Sequence, residues 1–425
     1  MKIRFSRIPA TLALMMLVTS VVAETVTLRA ARLLDVDSGR LLSPAVVVVE
    51  DGLIAAAGDG STPVGGTVMD LGDVTLLPGL IDMHTHLTGD LEGDWIHRKV
   101  SESALDKALR GVGNARRTLW AGFTTVRDLG GAEFADVALA RAIARGEFEG
   151  PEIFPVGNSL GITGGHCDVT GFAPGVRERD YRNGIADGAD EVVKAVRYQV
   201  KHGAKIIKFC ATAGVLSFEG PVGAQQFSDE EMRAIVAEAA RHDIRVAAHA
   251  HGSEGILAAV RAGVDSIEHG SMLSEEIIRE MKKRGTWLVP TTHLADAIDM
   301  EALPPPIRAK AEYVLPLAQE SLRMAIAAGV KVAFGTDAAV IPHGDNAKEF
   351  AALVARGMQP IDAIRAATVN AAELLGVADR GRLAAGLRAD IVAVTGNPLD
   401  DIRRMEAVVF VMKGGAVARS PATAH

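Results

Sequence analysis

His84 and His86 stand two residues apart at the end of the run Leu77-Pro-Gly-Leu-Ile-Asp-Met-His-Thr-His86. On a strand, that spacing puts both imidazoles on one face. Two imidazoles converging at a strand end suit Zn²⁺ or a similar borderline metal. Such a pair also occurs on protein surfaces, but here it closes an apolar segment and not a solvated loop. His249 ends Arg245-Val-Ala-Ala-His249, His269 ends Ser266-Ile-Glu-His269, and Asp337 ends Lys331-Val-Ala-Phe-Gly-Thr-Asp337. Buried histidine and aspartate are costly without partners. Their recurrence at the ends of apolar runs is read as one metal site.

Lys208 is the unusual member. In Ile206-Ile207-Lys208-Phe209-Cys210 it shares a face with Ile206 and Cys210. A cationic lysine beside divalent metals is repelled, and its ordinary pKa near 10.4 makes it a poor ligand. Reaction with CO₂ answers both problems, because a carbamate is anionic and offers one oxygen to each of two metals. Two other readings stay open: Lys208 pairs with an acid, or Lys205 is the residue that matters.

These residues need strands to carry them. Thr124–Asp128, Lys205–Cys210, Arg245–His249, Ser266–His269, Trp287–Thr291 and Lys331–Asp337 are short apolar runs with helical patterns between them. Ser228 to His242 is one such helix, with Asp229-Glu230-Glu231 in the first turn, where the helix dipole favours acids. Repeated strand-then-helix units over some 300 residues imply a parallel sheet. The length suits a (β/α)8 TIM-like barrel, whose active site lies at the C-terminal ends of the strands. The ends of the chain differ from the middle. Thr25–Arg29, Ala45–Glu50 and Gly52–Ala57 alternate like strands, as do Asp390–Val394 and Ala407–Met412, and Lys413-Gly-Gly415 reads as a hairpin turn. The expected organisation is a signal peptide at 1–23, a small β-sandwich domain from 24–77 plus 380–425, and the barrel at 78–379.

Composition agrees with a large α/β protein. The chain has 425 residues, 48% hydrophobic and only 4% aromatic. Lys2, Arg4 and Arg7 precede an apolar stretch and the small residues Val21-Val22-Ala23, which reads as a cleavable export signal. An exported protein is expected, periplasmic in a Gram-negative host, with no membrane association after cleavage. Removing three basic residues leaves 45 − 3 = 42 against 53 acidic ones, or −11. That balance argues against nucleic acid or anionic membrane as partners. Cys167 and Cys210 are the only cysteines, and two buried free thiols are expected.

Taken together, Pro78-Gly-Leu-Ile-Asp-Met-His-Thr-His86, Lys208, His249, His269 and Gly335-Thr-Asp337 resemble the amidohydrolase superfamily. Gly381-Arg-Leu-Ala-Ala-Gly-Leu-Arg-Ala-Asp-Ile-Val392 resembles its return into the small β-domain. Thr163-Gly-Gly-His166, Ile207 to Ser217 and His249-Ala-His-Gly252 are most similar to its Xaa-Pro dipeptidase-like branch. That branch includes metallo-carboxypeptidases and ochratoxin-hydrolysing amidases. The resemblance implies a binuclear amidohydrolase acting on N-acyl amino acids or dipeptides through a metal-bridging hydroxide. It places His84, His86 and Asp337 on one metal and His249 and His269 on the other. Carboxylated Lys208 would bridge two divalent ions, with Zn²⁺ the first expectation. A homo-oligomer is expected by analogy alone.

In that setting Asp337 is the expected proton shuttle. His251 is the expected donor to the carbonyl oxygen, or else a supporting partner. His166 and His293 are candidates for binding the substrate's carboxylate or carbonyl, and Arg127–Asp128 reads as structural. Two other functions compete. A mononuclear deaminase or cyclic-amide hydrolase would use Glu254 in His251-Gly-Ser-Glu254, and a non-catalytic metal-binding scaffold would lack ligands that are all present here. Specificity should lie in loops 87–100, 215–226 and 338–346. Gly214-Val-Leu-Ser217 and Ala338-Ala-Val-Ile-Pro342 suggest an apolar wall, and hence a hydrophobic or aromatic substrate side chain.

Overall fold

The computed structural model describes residues 25–420, so the expected signal peptide lies outside the described residues. Seven strands come first: β1 (Thr25–Ala30), β2 (Arg32–Asp35), β3 (Arg40–Leu42), β4 (Ala45–Glu50), β5 (Leu53–Gly58), β6 (Thr67–Asp70) and β7 (Val74–Pro78). The middle holds β8 (Leu80–Thr85), β9 (Phe123–Asp128), β10 (Glu152–Pro155), β11 (Ile206–Cys210), β12 (Arg245–Ala250), β13 (Ser266–His269) and β14 (Trp287–Val289). After a run of helices come β15 (Ile391–Thr395), β16 (Val408–Lys413) and β17 (Ala416–Arg419). The fold is mixed α/β with four sheets. No helix among the described residues is long and apolar enough to cross a membrane.

Strands from both ends of the chain share a sheet. Its order is β17-β16-β15-β7-β2-β3, and a second sheet runs β5-β4-β1-β6. β15 lies antiparallel to β7 from Ile391 opposite Pro78 to Thr395 opposite Val74. Leu28, Val47, Leu76, Ile391 and Phe410 pack into one core drawn from both sheets, as inward-facing positions of alternating strands must. Gly414 and Gly415 turn β16 into β17 at φ of 55° and 82°, a backbone that glycine adopts without steric cost.

The middle strands are parallel, in the orders β10-β9-β8 and β11-β12-β13-β14. Single backbone bonds continue beyond each sheet. Leu160 N–H donates to Lys208 O at 2.8 Å, and Cys210 N–H to Leu160 O at 2.9 Å. Leu288 N–H donates to Lys331 O at 2.9 Å, and Met83 N–H to Phe334 O at 2.9 Å. Lys331–Asp337 is therefore bonded on both sides but is not the regular strand its sequence predicts. Thr336 N–H goes to the Asp82 carboxylate at 3.2 Å, not to a neighbouring strand. Gly335 lies so close to β8 that a Cβ would stand 2.9 Å from His84 Cβ. The predicted strand at Trp287–Thr291 also stops early, at Val289, because Pro290 has no N–H to extend the ladder.

The helix Asp229–Ala240 starts where its acids predict, on a capping box between Ser228 and Glu231. The cysteine expectation is corrected: Cys167 and Cys210 form a disulfide, with Cα atoms 5.9 Å apart. The segment after β10 pairs with β11 at Leu160 and folds back over the end of that strand. That path brings residues 43 apart in sequence within bridging distance.

Candidate metal centre

Adjacent parallel strands deliver the expected residues to one cavity of about 430 Å³. β8 carries His84, β11 Lys208, β12 His249 and β13 His269, while Asp337 ends the irregular segment. Ring centroids of His84 and His269 are 5.1 Å apart, those of His249 and His269 are 4.7 Å apart, and those of His84 and His86 are 5.4 Å apart. Nε2 of His84 and of His86 lie 3.5 and 3.3 Å from Asp337 Oδ1. His251 belongs to the same group, 4.6 Å from His249 and 5.0 Å from His269 between ring centroids. Within this group, potential ligand atoms of His84, His269 and Asp337 lie within 4.8 Å of one another, as do those of His249, His251 and His269. His269 and Asp337 adopt φ of 69° and 60°. This left-handed backbone is uncommon for residues with a Cβ and concentrates at functional sites.

The outer nitrogens of four rings are engaged. His84 Nδ1 lies 2.9 Å from Glu268 Oε2, and His86 Nδ1 lies 3.1 Å from Gly130 O. His269 Nδ1 lies 2.7 Å from Thr291 Oγ1, whose hydroxyl donates to Pro290 O. His251 Nδ1 lies 2.7 Å from Ser271 Oγ. Each bond engages Nδ1 and leaves Nε2 toward the cavity, where those of His84 and His86 meet Asp337 Oδ1; an engaged outer nitrogen is what orients a metal-ligating histidine. His249 Nε2 is buried with no hydrogen-bond partner in the protein.

Protonation states fit this role. Burial, reinforced by the charge of Lys208, depresses His84 to about 4. Burial and His166 depress His251 to about 3. Burial and neighbouring histidines hold His249 and His269 well below the ordinary value. Neutral imidazole is the ligand form. His86 moves the other way: burial opposes its charge, but the hydrogen bond and charge of Asp337 raise it. Asp337 is pushed below the carboxylate range, its burial outweighed by His84 and His86. Burial lowers Lys208 to about 8, against the opposing charges of Glu268 and Asp337. Near neutral pH that lysine has an accessible neutral amine, the form that reacts with CO₂. Neutral inward-facing imidazoles, one of them unpartnered, beside a buried carboxylate are a donor set that fits borderline divalent cations.

The other candidates separate. His166 lines the cavity, with its ring stacked 4.3 Å from that of His249 and Nδ1 2.5 Å from Ser217 Oγ. His293 is not among the cavity-lining residues. Its N–H donates to Glu349 at 2.6 Å, while Thr291, Thr292 and Leu294 line the wall around it. Glu254 is exposed on the helix Ser253–Ala262, so the feature that favoured a deaminase does not face the site. Leu216, Ala339 and Val340 supply the expected apolar lining, joined by Trp95, Ile298 and Leu315.

Two functional neighbours escaped the sequence reading. Glu268 holds His84 and is itself held by Arg127 at 2.7 Å and by Ser266 at 2.5 Å. Asp82 accepts from the backbone of His84 at 3.0 Å and from Thr336 Oγ1 at 2.7 Å. The available signal was an acid inside each apolar run, since buried acids need partners. Arg127 and Asp128 both serve the scaffold, and Asp128 accepts from Leu87 N–H at 2.6 Å.

Known proteins share this architecture. The amidohydrolase family model matches residues 75–419. Ochratoxinase of Aspergillus niger is 37% identical, with the match covering 93% of this chain and 87% of that protein. Its crystal structure superposes with a TM-score of 0.84 at 33% identity, covering 94% and 96% of the two chains. A Xaa-Pro dipeptidase solved with methionine in its active site gives a TM-score of 0.89 at 36% identity, covering 93% and 99%. The chain belongs to the amidohydrolase family and is a hydrolase of carbon–nitrogen amide bonds.

Proposed function

We propose that this protein is a binuclear metallohydrolase that releases an amino acid from N-acyl amino acids or dipeptides. The observation that carries this reading is the set of inward-facing imidazole nitrogens around Asp337 and Lys208. His84, His86 and Asp337 would hold one divalent ion, His249 and His269 the other, and carboxylated Lys208 both; Zn²⁺ fits the ligands best. When bound, such ions supply an activated water near neutral pH and polarise the scissile carbonyl. Asp337 takes a proton at its carboxylate and passes it to the leaving nitrogen. With the Ser271 hydroxyl as donor to His251 Nδ1, 2.7 Å away, the ring hydrogen would sit on Nε2, where it would meet the carbonyl oxygen as charge develops.

The substrate class is supported by the relatives, one hydrolysing ochratoxin and one a dipeptidase that binds methionine. The apolar wall of Trp95, Leu216, Ile298 and Leu315 favours an apolar side chain. The proposal extends to architecture. β8 to β14 and the 331–337 segment make eight elements, and the single bonds at Leu160, Leu288 and Met83 support their closure into a (β/α)8 barrel over 78–379. Within the expected 24–77 and 380–425, the described residues 25–77 and 380–420 would form the small β-domain. Export is supported by the Cys167–Cys210 disulfide, since such bonds persist in oxidising compartments.

The test is to assay the purified protein, with its metal content measured, against a panel of N-acyl amino acids and dipeptides. Release of free amino acid, abolished by a chelator and restored by Zn²⁺, is expected. Inertness across the panel with two metals bound per chain overturns the substrate assignment.

A further inference from the structure

His249 is held differently from the other rings of the centre. The bonds that fix His84, His86, His251 and His269 go to Glu268, Gly130, Ser271 and Thr291. His249 makes no ring hydrogen bond among the described residues, and its buried Nε2 has no partner. What meets its imidazole is other rings. His251 and His269 approach it edge-on, with interplanar angles of 86° and 72°. Among the described rings His166 alone stacks on it, at 4.3 Å and 29°. Stacking is a preferred geometry of neighbouring rings, and the plane of one then constrains the plane of the other.

His166 is itself built into a frame. Its N–H donates to Gln226 Oε1 at 3.1 Å, and its Nδ1 lies 2.5 Å from Ser217 Oγ. Ser217 Oγ lies 2.6 Å from Glu219 Oε1, which also accepts from Gly214 N–H at 3.0 Å. Burial opposes the charge of Glu219, but the bonds from His166 and Ser217 lower it to about 2. An ionised carboxylate only accepts. The one hydroxyl hydrogen of Ser217 therefore goes to Glu219, and its oxygen accepts from Nδ1–H of His166. Lys310, on the helix Pro305–Ala327, fixes the same loop from outside. Its Nζ donates to Glu219 O at 2.7 Å, Ser217 O at 3.0 Å and Gly214 O at 3.4 Å. Lys310 and Lys99 also act on Glu219 through their charge. Gly214 completes the frame. A Cβ there would stand 2.2 Å from His166 Cε1 and 2.4 Å from each ring nitrogen, so a side chain at that position displaces the imidazole.

We infer that Glu219, acting through Ser217 and the stacked ring of His166, is a positioning residue for His249, with Gly214 and Lys310 as parts of the same frame. The stack does for His249 what the Nδ1 bonds do for the other four rings. This assignment rests on the proposed reading of His249 as a ligand of the ion it shares with His269.

The experiment strips the full chain with a chelator and titrates it with Zn²⁺ by calorimetry, reading each site separately, beside thermal melts of the same samples. Wild type is compared with Gly214→Ala, Ser217→Ala, Ser217→Thr, Glu219→Ala and His249→Ala. Gly214→Ala, Ser217→Ala and Glu219→Ala should weaken one site about tenfold or more, the scale of a lost outer partner. That site should be the one His249→Ala abolishes, and the other should keep its affinity. Ser217→Thr retains the hydroxyl and should bind as wild type does. If Glu219→Ala does not fold, Gly214→Ala and Ser217→Ala decide. Unchanged affinity in those two, equal weakening at both sites, or a Ser217→Thr as weak as Ser217→Ala overturns the frame. If His249→Ala loses one ion while the frame variants lose no affinity, the ligand stands and the frame falls. If His249→Ala still binds two ions as tightly as wild type, the reading of His249 as a ligand falls.

Discussion

Glu268 Oε2 lies 2.9 Å from His84 Nδ1, and both side chains are almost fully buried. The other Glu268 oxygen accepts from Arg127 at 2.7 Å. Arg127 and Ser266 thus hold the carboxylate that fixes the tautomer and plane of His84. Glu268→Gln should lower metal affinity about 10–100-fold, the usual loss when such a partner is removed. Arg127→Met leaves Glu268 buried and uncompensated, and should cost about 3–5 kcal/mol of stability. Metal titration and thermal melts check these separately; unchanged metal affinity in Glu268→Gln would refute the positioning role.

Lys208→Ala should reduce metal content from two ions per chain to one or none. Activity should fall by about 10²–10³, the scale of losing a major electrostatic element of a site. Elemental analysis beside the amidase assay reads both quantities. Full metal content and full activity in this variant would exclude a bridging carbamate.

Reducing the Cys167–Cys210 disulfide should impair catalysis without stripping metal. Cys167 follows His166, its carbonyl accepts from Arg179, and Cys210 ends the strand of Lys208. The bond therefore ties a cavity-lining loop to the strand that carries Lys208. Loop closure over a separation of 43 residues is worth up to about 4 kcal/mol. Cys167→Ser should lower the melting temperature and raise KM more than it lowers metal occupancy.

Asp136 is a source of pH dependence in the scaffold. Burial, with the nearby charge of Asp128, raises its pKa from 3.8 to about 8. The folded protein keeps a proton that the unfolded chain releases, so raising the pH between those values favours unfolding. The penalty is absent below the unfolded value and complete above about 8. Asp136→Asn should therefore gain stability relative to wild type as pH rises from about 5 to 8, and no further beyond that. Parallel pH profiles of the two melting temperatures would contradict it.

Much of the centre was legible from residue type and period. Two-residue spacing put His84 and His86 on one face, and apolar runs ending in His249, His269 and Asp337 marked the ends of elements packed side by side. Lys208 stood out because a cation in an apolar run needs a chemical reason. These inferences are local: a run of β-formers closed by a polar residue carries its meaning within a few positions. The irregular backbone of Lys331–Asp337 was hidden because the Asp82 side chain takes the N–H of Thr336, and a sequence does not show which distant carboxylate will claim an amide.

The same limit applies to every contact that depends on how the chain returns on itself. The sequence by itself determined which residues could bind metal, that parallel strands would carry them, and that both chain ends would be β-rich. Only the tertiary structure decided that Glu268 stands behind His84, that Cys167 meets Cys210 and that Glu254 faces solvent. Periodicity fixes the face on which a side chain lies. What meets that face is set by the packing of elements tens to hundreds of residues apart, where burial and charge select partners that no local pattern encodes.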